Sequence, residues 1–264
     1  MNIVTWNING LRSGLSKEAF QQLSPYDVDI LCLQETKVDA KTFENLQMPL
    51  QMTGITSAAQ KPGYSGVATF TKGIAPKVFT RSYSTEYSEH TEGRILVTEH
   101  KVGDVIFYLH NIYFPSGTTG DVRQNFKYSF LDEVHNYFAK LPPDVLQNSV
   151  VCGDFNICHQ ELDIHHPKEA TKKQLSGFLP DERSWFTEFC DLGFVDIFRQ
   201  VNPLEKQYSW WTFRAGARSK NLGWRIDYFL VAAGLRDKVD KVEYLTDIVG
   251  SDHAPVLLSL KNSN

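Results

Sequence analysis

The sequence predicts one α/β domain, spanning residues 1–264, of mixed β-sheets with helices packed on them. Three observations predict it. Short β-branched or apolar runs recur along the whole chain and outnumber the helical stretches. Some are joined by tight Gly-containing turns and others by longer crossovers, so antiparallel and parallel pairs both occur. No composition break, low-complexity tract or repeat divides the chain.

Taken in order, Met1 to Ile8 is β-branched and alternating and reads as a strand, ended by Gly10. Asn7 and Asn9 fall two apart, which would put both amides on one face of the strand end. The plain alternative is a turn signal. Ser16 to Leu23 reads as a helix with Ser16 as N-cap and Pro25 beyond its end. The apolar run Asp29 to Leu33 breaks into the polar cluster Gln34-Glu35-Thr36-Lys37, and Tyr64 to Phe70 is a further strand. Gly93 to Thr98 and Val105 to Tyr113 form a pair, with Gly103-Asp104 as the hairpin turn.

Phe126 to Leu141 has helical spacing and stops at Pro142-Pro143. Ser149 to Cys152 is a buried strand running into Gly153-Asp154-Phe155-Asn156. Asp163 to Pro180 is polar and basic and reads as a surface loop, with His165 and His166 solvated rather than metal-binding. Asp181 to Leu192 is an amphipathic helix with Gly193 at its C′ position. Tyr208 to Phe213 is aromatic and β-prone, Trp224 to Val231 and Lys241 to Asp247 are strands, and Gly250-Ser251-Asp252-His253-Ala254-Pro255 feeds a last strand, Val256 to Leu260.

Composition narrows the function classes. At 42% hydrophobic and 22% charged, the chain is ordinary for a soluble globular protein. No apolar run reaches the roughly 18–20 residues of a membrane span, and the N-terminus lacks a secretory signal pattern, so a prokaryotic cytoplasm and no membrane partner are expected. Cys32, Cys152, Cys158 and Cys190 have no CxxC spacing and read as reduced thiols. A net charge of −4 argues against a wholly basic surface. Locally the sign reverses: Lys206, Arg214, Arg218, Lys220 and Arg225 face Glu205 alone, interleaved with aromatics, as a phosphate-facing stripe would be. The plain alternative is a solvated loop.

Polar side chains end several strands: Asn7, Glu35, Tyr113, Asp154 with Asn156, and Asp252 with His253, while Asp227 opens another. Carboxylates gathered at one point repel unless a cation joins them. Oxygen donors without cysteine favour a hard ion, Mg²⁺ or Mn²⁺, over zinc. His253 with Asp227 suits an imidazole kept charged by a carboxylate.

The segments Trp6-Asn7-Ile8-Asn9-Gly10-Leu11-Arg12, Leu33-Gln34-Glu35-Thr36-Lys37, Gly63-Tyr64-Ser65-Gly66, Glu92-Gly93-Arg94, Tyr113-Phe114-Pro115, Gly153-Asp154-Phe155-Asn156, Ala217 to Tyr228 and Gly250-Ser251-Asp252-His253 resemble, in order, the exonuclease III family of apurinic/apyrimidinic (AP) endonucleases. The resemblance implies a DNase I-like four-layer α/β sandwich, two mixed β-sheets flanked by helices. It implies a monomeric, Mg²⁺-dependent repair endonuclease, Mn²⁺ substituting, that cuts duplex DNA 5′ to an abasic site and leaves a 3′-hydroxyl and a 5′-deoxyribose phosphate. A 3′-5′ exonuclease and 3′-phosphodiesterase or phosphatase activity goes with it.

By motif, Glu35 would be the main metal ligand with Asn7 and Asp252 near the ion, and Asp154 and Asn156 would serve a second site. Asp154 would activate water or assist the leaving group, Asn156 would hold the phosphate, Tyr113 would sit against it, and His253, oriented by Asp227, would stabilise its charge. Trp210, Trp224 and Ile226 match the pocket for the flipped-out sugar, and Arg94 and Lys127 are candidate phosphate contacts. Position 9 is Asn where some relatives carry Asp, and Ser116 to Gly120 lacks the Asn and Arg that some relatives set against DNA. Two rivals remain: another phosphodiesterase of the same superfold, against which the Trp210–Asp227 block speaks, and a DNA-binding relative with decayed catalysis, against which the full set of carboxylates speaks.

Overall fold

A computed structural model describes residues 1–83 and 89–261. In chain order its strands are β1 (Asn2–Asn7), β2 (Ile30–Gln34), β3 (Thr53–Ser57), β4 (Val67–Thr71), β5 (Lys77–Thr80), β6 (Ile95–Val102), β7 (Val105–Tyr113), β8 (Ser149–Asp154), β9 (Phe194–Asp196), β10 (Asp227–Ala232), β11 (Val239–Tyr244) and β12 (Val256–Leu260). The helices are α1 (Leu11–Ser16), α2 (Ala40–Glu44), α3 (Glu89–Glu92), α4 (Asp121–Ala139), α5 (Pro143–Leu146), α6 (Pro167–Lys172), α7 (Pro180–Asp191) and α8 (Ile197–Val201).

Two six-stranded sheets form, in the orders β11-β12-β1-β2-β4-β3 and β5-β6-β7-β8-β10-β9. Their layouts match. Each has one parallel pair at its centre, β1 with β2 and β7 with β8, and every other pairing is antiparallel. The two sheets face each other over Ile3, Cys32, Phe107, Leu109, Val150, Cys152, Phe229, Val256 and Leu258. The outer face of the first carries Val4, Trp6, Leu31 and Leu257 against Leu11, Phe20 and Leu23. The outer face of the second carries Ile112, Val151 and Leu230 against Phe130, Val134 and Phe138 of α4 and Trp185, Phe186 and Phe189 of α7. Helix, sheet, sheet, helix is the four-layer sandwich the resemblance implied.

Three expectations about elements change. Ser16 closes α1 instead of capping a helix, and a 3₁₀ segment, Ala19–Tyr26, follows with Pro25 inside it. Glu18 and Asp27 bracket that segment in left-handed geometry, so no α-helix can run through. Tyr208 to Phe213 makes no strand; Trp210 bridges singly to Trp224 and to His253. The stretch from Asp163 to Pro180 holds α6 and, as described below, a wall of the main cavity. No helix is long and apolar enough to cross a membrane among the described residues.

Candidate active site

Strand direction and parity assemble the site. The ends of β1, β2, β7 and β8 lie at one rim of the sandwich. Because β10 runs antiparallel to β8 and β12 antiparallel to β1, the starts of β10 and β12 lie there too. Side chains alternate along a strand. Ile3 on β1, Val150 and Cys152 on β8, Phe229 on β10 and Phe107 and Leu109 on β7 all point between the sheets. By the same parity so do Asn7, Asp154, Asp227 and Tyr113. The inter-sheet layer is apolar through most of its depth. It turns polar towards this rim, first at Thr5, Gln34 and Asn111, which bond one another through Gln34 at 2.9 and 2.7 Å.

At the rim, Asn7 Nδ2 donates to Glu35 Oε1 at 3.0 Å and to Asp154 Oδ2 at 2.9 Å, tying the two sheets together. Asp154 and Asp227 are paired across β8 and β10, and His253 Nδ1 donates to Asp227 Oδ2 at 2.8 Å. The other imidazole nitrogen lies 3.9 Å from Asp154 Oδ2. Asp154, Asp227 and His253 thereby offer ligand-type atoms all within 4.8 Å of one another.

Burial and charge set the protonation states. Burial works against a charged His253, but the carboxylate of Asp227 overrides it and raises the imidazole to about 10. Burial raises Asp154 to about 7, against the pull of His253 and with the repulsion of Asp227. Glu35 is lowered despite burial, because Lys37 and Asn7 favour its anion. Tyr113 is raised well above the usual phenol value by burial and by Glu35, so it stays a neutral donor.

The Ser251–His253 loop is held from several sides. Ser251 Oγ donates to the Asn7 carbonyl at 2.7 Å, and Trp6 Nε1 donates to the His253 carbonyl at 3.0 Å. Asp252 accepts from Asn9 Nδ2 and Trp210 Nε1, each at 3.0 Å, and is lowered despite burial by His253 and these bonds. Arg218 donates to the carbonyls of Thr246, Ile248 and Ser251. The basic stripe expected from Lys206 to Arg225 is therefore broken up. Arg218 braces this loop, and Arg225 is buried in ion pairs with Asp163 and Asp196.

Asn9 also departs from expectation. It leaves the strand in left-handed geometry, φ 51, and its backbone N–H bonds Asn7 Oδ1 at 3.0 Å. Glu35 and Asn156 adopt the same region, each at φ 51. For Glu35 that conformation costs on the order of 1 kcal/mol or more. Turning the chain there is what swings its carboxylate to Asn7.

A cavity of about 730 Å³ opens beside these groups. Glu35, Tyr113, Asp154, Asn156, Asp252 and His253 line it together with Trp210, Trp224, Ile226, Leu175, Ser176 and Leu179. Of the residues singled out in the sequence, Asn7 and Asp227 stand behind this lining, bonded to Glu35, Asp154 and His253, and two expected phosphate contacts lie elsewhere. Arg94 is 2% exposed, bonded to Glu92 at 2.6 Å and to the Tyr113 carbonyl at 3.0 Å, with its guanidinium 4.5 Å from the Tyr113 ring. Lys127 is fully buried, on Glu182 and the Asn156 carbonyl. Each is too far inside to meet a phosphate and supports a site residue instead. Two neighbours went unread: Lys37, 2.9 Å from Glu35 Oε2 and bonded to Asn9, and the 174–179 segment of the cavity wall. The acid at the third position of α7, Glu182 after Pro180, was the available sign that this segment is anchored.

The chain matches the Endonuclease/Exonuclease/phosphatase family over residues 4–253. It is 38% identical over 261 residues to an exodeoxyribonuclease of Bacillus subtilis, covering 98% of each chain. It is 35% identical over 270 residues to the DNA repair nuclease APEX1 of Danio rerio, covering 98% of this chain and 82% of that one. Among solved structures it is similar to an AP endonuclease from Leishmania major, with a TM-score of 0.86 and 28% identity over 99% of this chain and 88% of that one. A 3′-5′ exonuclease from Neisseria meningitidis gives a TM-score of 0.84 at 26% identity, over 99% of this chain and 100% of the other. With matched sheets, a shared rim of acids and amides, and a family match that runs nearly end to end, the chain belongs to the Endonuclease/Exonuclease/phosphatase family.

Proposed function

We propose that this protein is a DNA repair nuclease that hydrolyses the phosphodiester 5′ to an abasic site in duplex DNA, leaving a 3′-hydroxyl and a 5′-deoxyribose phosphate, with 3′-5′ exonuclease and 3′-phosphatase activity at strand ends. The observation that carries this reading is the cavity itself. Its aromatic and aliphatic part, Trp210, Trp224, Ile226 and Leu175, is contiguous with the charged cluster, so an extruded sugar and its phosphate can be held together.

A divalent cation fits the donor set. Glu35 is ionised, 20% exposed, and already draws the ammonium of Lys37 to 2.9 Å, while Asp252 adds carboxylate oxygens to the same cavity and no cysteine lines it. Glu35, Asn7 and Asp252 would hold it, with Asp154 and Asn156 at a second site, and Mg²⁺ is the expected ion with Mn²⁺ as substitute. When bound, such an ion polarises a phosphoryl oxygen and steadies the leaving oxyanion.

The side chains supply the rest. Asp154, raised to about 7, accepts the proton of the attacking water. His253, held as a cation by Asp227, donates from Nε2 to the phosphoryl oxygen that gains charge. The neutral phenol of Tyr113 donates to the same phosphate, and the amide of Asn156, whose Nδ2 bonds the Phe114 carbonyl at 3.0 Å, positions it. The deciding assay is incision of a duplex with a single tetrahydrofuran abasic analogue against a matched intact duplex, with Mg²⁺ and with EDTA. Selective cutting that EDTA abolishes is expected. Equal cutting of both duplexes, or cutting indifferent to EDTA, overturns the reading.

A further inference from the structure

Lys127 on α4 and Glu182 on α7 are both 0% exposed, with Nζ 2.5 Å from Oε1. Burying such a pair gains little stability over apolar residues of the same volume. What it holds in place is therefore the question. Glu182 Oε2 accepts from the backbone N–H of Gly177 at 2.6 Å and of Leu179 at 3.0 Å. Its Oε1 also accepts from Ser176 Oγ at 3.3 Å and Gln124 Nε2 at 3.1 Å. Three of these donors sit in the segment whose residues Leu175, Ser176 and Leu179 line the cavity. From the other member of the pair, Lys127 Nζ donates to the backbone carbonyl of Asn156 at 2.8 Å.

One buried ion pair thus joins the wall of the cavity to the chain that carries Asn156. The space between those parts is already minimal. Gly177 is left-handed at φ +95, and a Cβ on it would lie 2.9 Å from Trp224 Cζ3 and 3.0 Å from the Asn156 carbonyl oxygen. The N–H of Cys158 closes the same contact on the Gly177 carbonyl at 2.7 Å. The wall packs closely against the pocket tryptophan on one side and is bonded to the backbone after Asn156 on the other.

Resting on the function proposed above, we infer that the Lys127–Glu182 pair is a specificity-setting clamp: it holds the 175–179 wall at the spacing that admits a baseless sugar beside Asn156 and refuses a full nucleotide extruded from within an intact duplex. Neither residue touches substrate. Both act by position, through preorganisation of a rigid pocket.

Two variants test this. Glu182→Asp keeps the charge but shortens the reach by one methylene. Lys127→Met with Glu182→Gln removes both charges at similar volume and leaves no buried ion unpaired, so it keeps a route to a folded protein if the first variant unfolds. For each, kcat and KM are measured on the tetrahydrofuran duplex and on the matched intact duplex, alongside the melting temperature. The clamp predicts that KM for the abasic duplex rises and that the ratio of kcat/KM between the two duplexes falls by about tenfold or more, with kcat on the abasic duplex less affected. A purely structural role lowers the active fraction on both substrates alike and leaves KM and the ratio unchanged; that outcome overturns the inference. A wild-type protein without preference for the abasic duplex overturns the parent reading and this one with it. Preference in the wild type with an unchanged ratio in the folded variants overturns this one alone.

Discussion

His253 Nδ1 sits 2.8 Å from Asp227 Oδ2, and this contact is the main reason a buried imidazole is held as a cation, with Asp154 and Asp252 adding to it. Asp227 is itself fully buried, and its backbone N–H donates to Ser209 Oγ at 3.1 Å. Replacing Asp227 by Asn keeps the shape and removes the charge. We expect kcat on abasic duplex to fall by about 10²–10³. In the same variant, an NMR titration of the His253 ring should show its protonation moving down from about 10, since burial is then opposed only by Asp154 and Asp252. A ring whose protonation stays at about 10 would contradict the assignment.

Glu35 separates binding of the ion from the chemistry around it. Glu35→Gln should weaken Mn²⁺ binding by calorimetry and lower kcat by at least about 10²-fold, while the melting temperature in EDTA changes little because the side chain is part-exposed. Asp154→Asn should lower kcat by a similar factor. Unchanged ion binding in Glu35→Gln would move the metal site elsewhere in the cluster.

Arg94 supports Tyr113 by stacking and by a bond to its carbonyl, and a lysine cannot do both. Arg94→Lys should lower kcat by roughly 10-fold through a displaced phenol, an effect that disappears in a Tyr113→Phe background. Additive losses in the double variant would show that Arg94 acts by another route.

Arg218 donates to three carbonyls of the loop that ends in Asp252 and His253. Removing it by Arg218→Ala leaves those carbonyls short of donors, which costs about 2 kcal/mol. Both a lower melting temperature and slower incision are expected. Loss of duplex binding with stability intact would instead restore Arg218 to the phosphate-facing stripe.

Acid should destabilise the fold through two histidines remote from the reaction. Burial lowers His110 to about 3 and His100 to about 4, against 6.5 in the unfolded chain. Between those values the unfolded chain binds protons that the native chain refuses, so the contribution of these two histidines to stability is full above about pH 6.5 and is lost as the pH drops through 4 towards 3. Melting temperatures across that window test it, and His110→Gln should flatten the slope.

The rim residues were legible because each closes or opens a strand, and a polar side chain after an apolar run is visible in one dimension. Asp154 and Asp227 needed only the assumption that their strands are neighbours, which the register across β8 and β10 bears out. What could not be read was burial of a long cation. Lys127, Arg94 and Arg225 look like surface charge in a sequence, and only tertiary packing reveals Glu182, Glu92, Asp163 and Asp196 beside them. The 3₁₀ turn after α1 escaped for a local reason: left-handed Glu18 and Asp27 carry no glycine to announce them. The wall from 174 to 179 was hidden by the polar, basic stretch that leads into it, and the acid that satisfies its N–H groups follows it in the chain.

The left-handed turn at Glu35 has a bearing on any attempt to make this protein hardier. Glycine at position 35 would relieve the turn and remove the carboxylate, and where that relief exceeds the lost bonds to Asn7 and Lys37 a screen for heat tolerance alone would favour it. The same change would remove the proposed primary ligand. Thermal robustness and turnover are therefore opposed at this residue, and a stabilising programme should leave the rim alone and work on the far ends of the sheets.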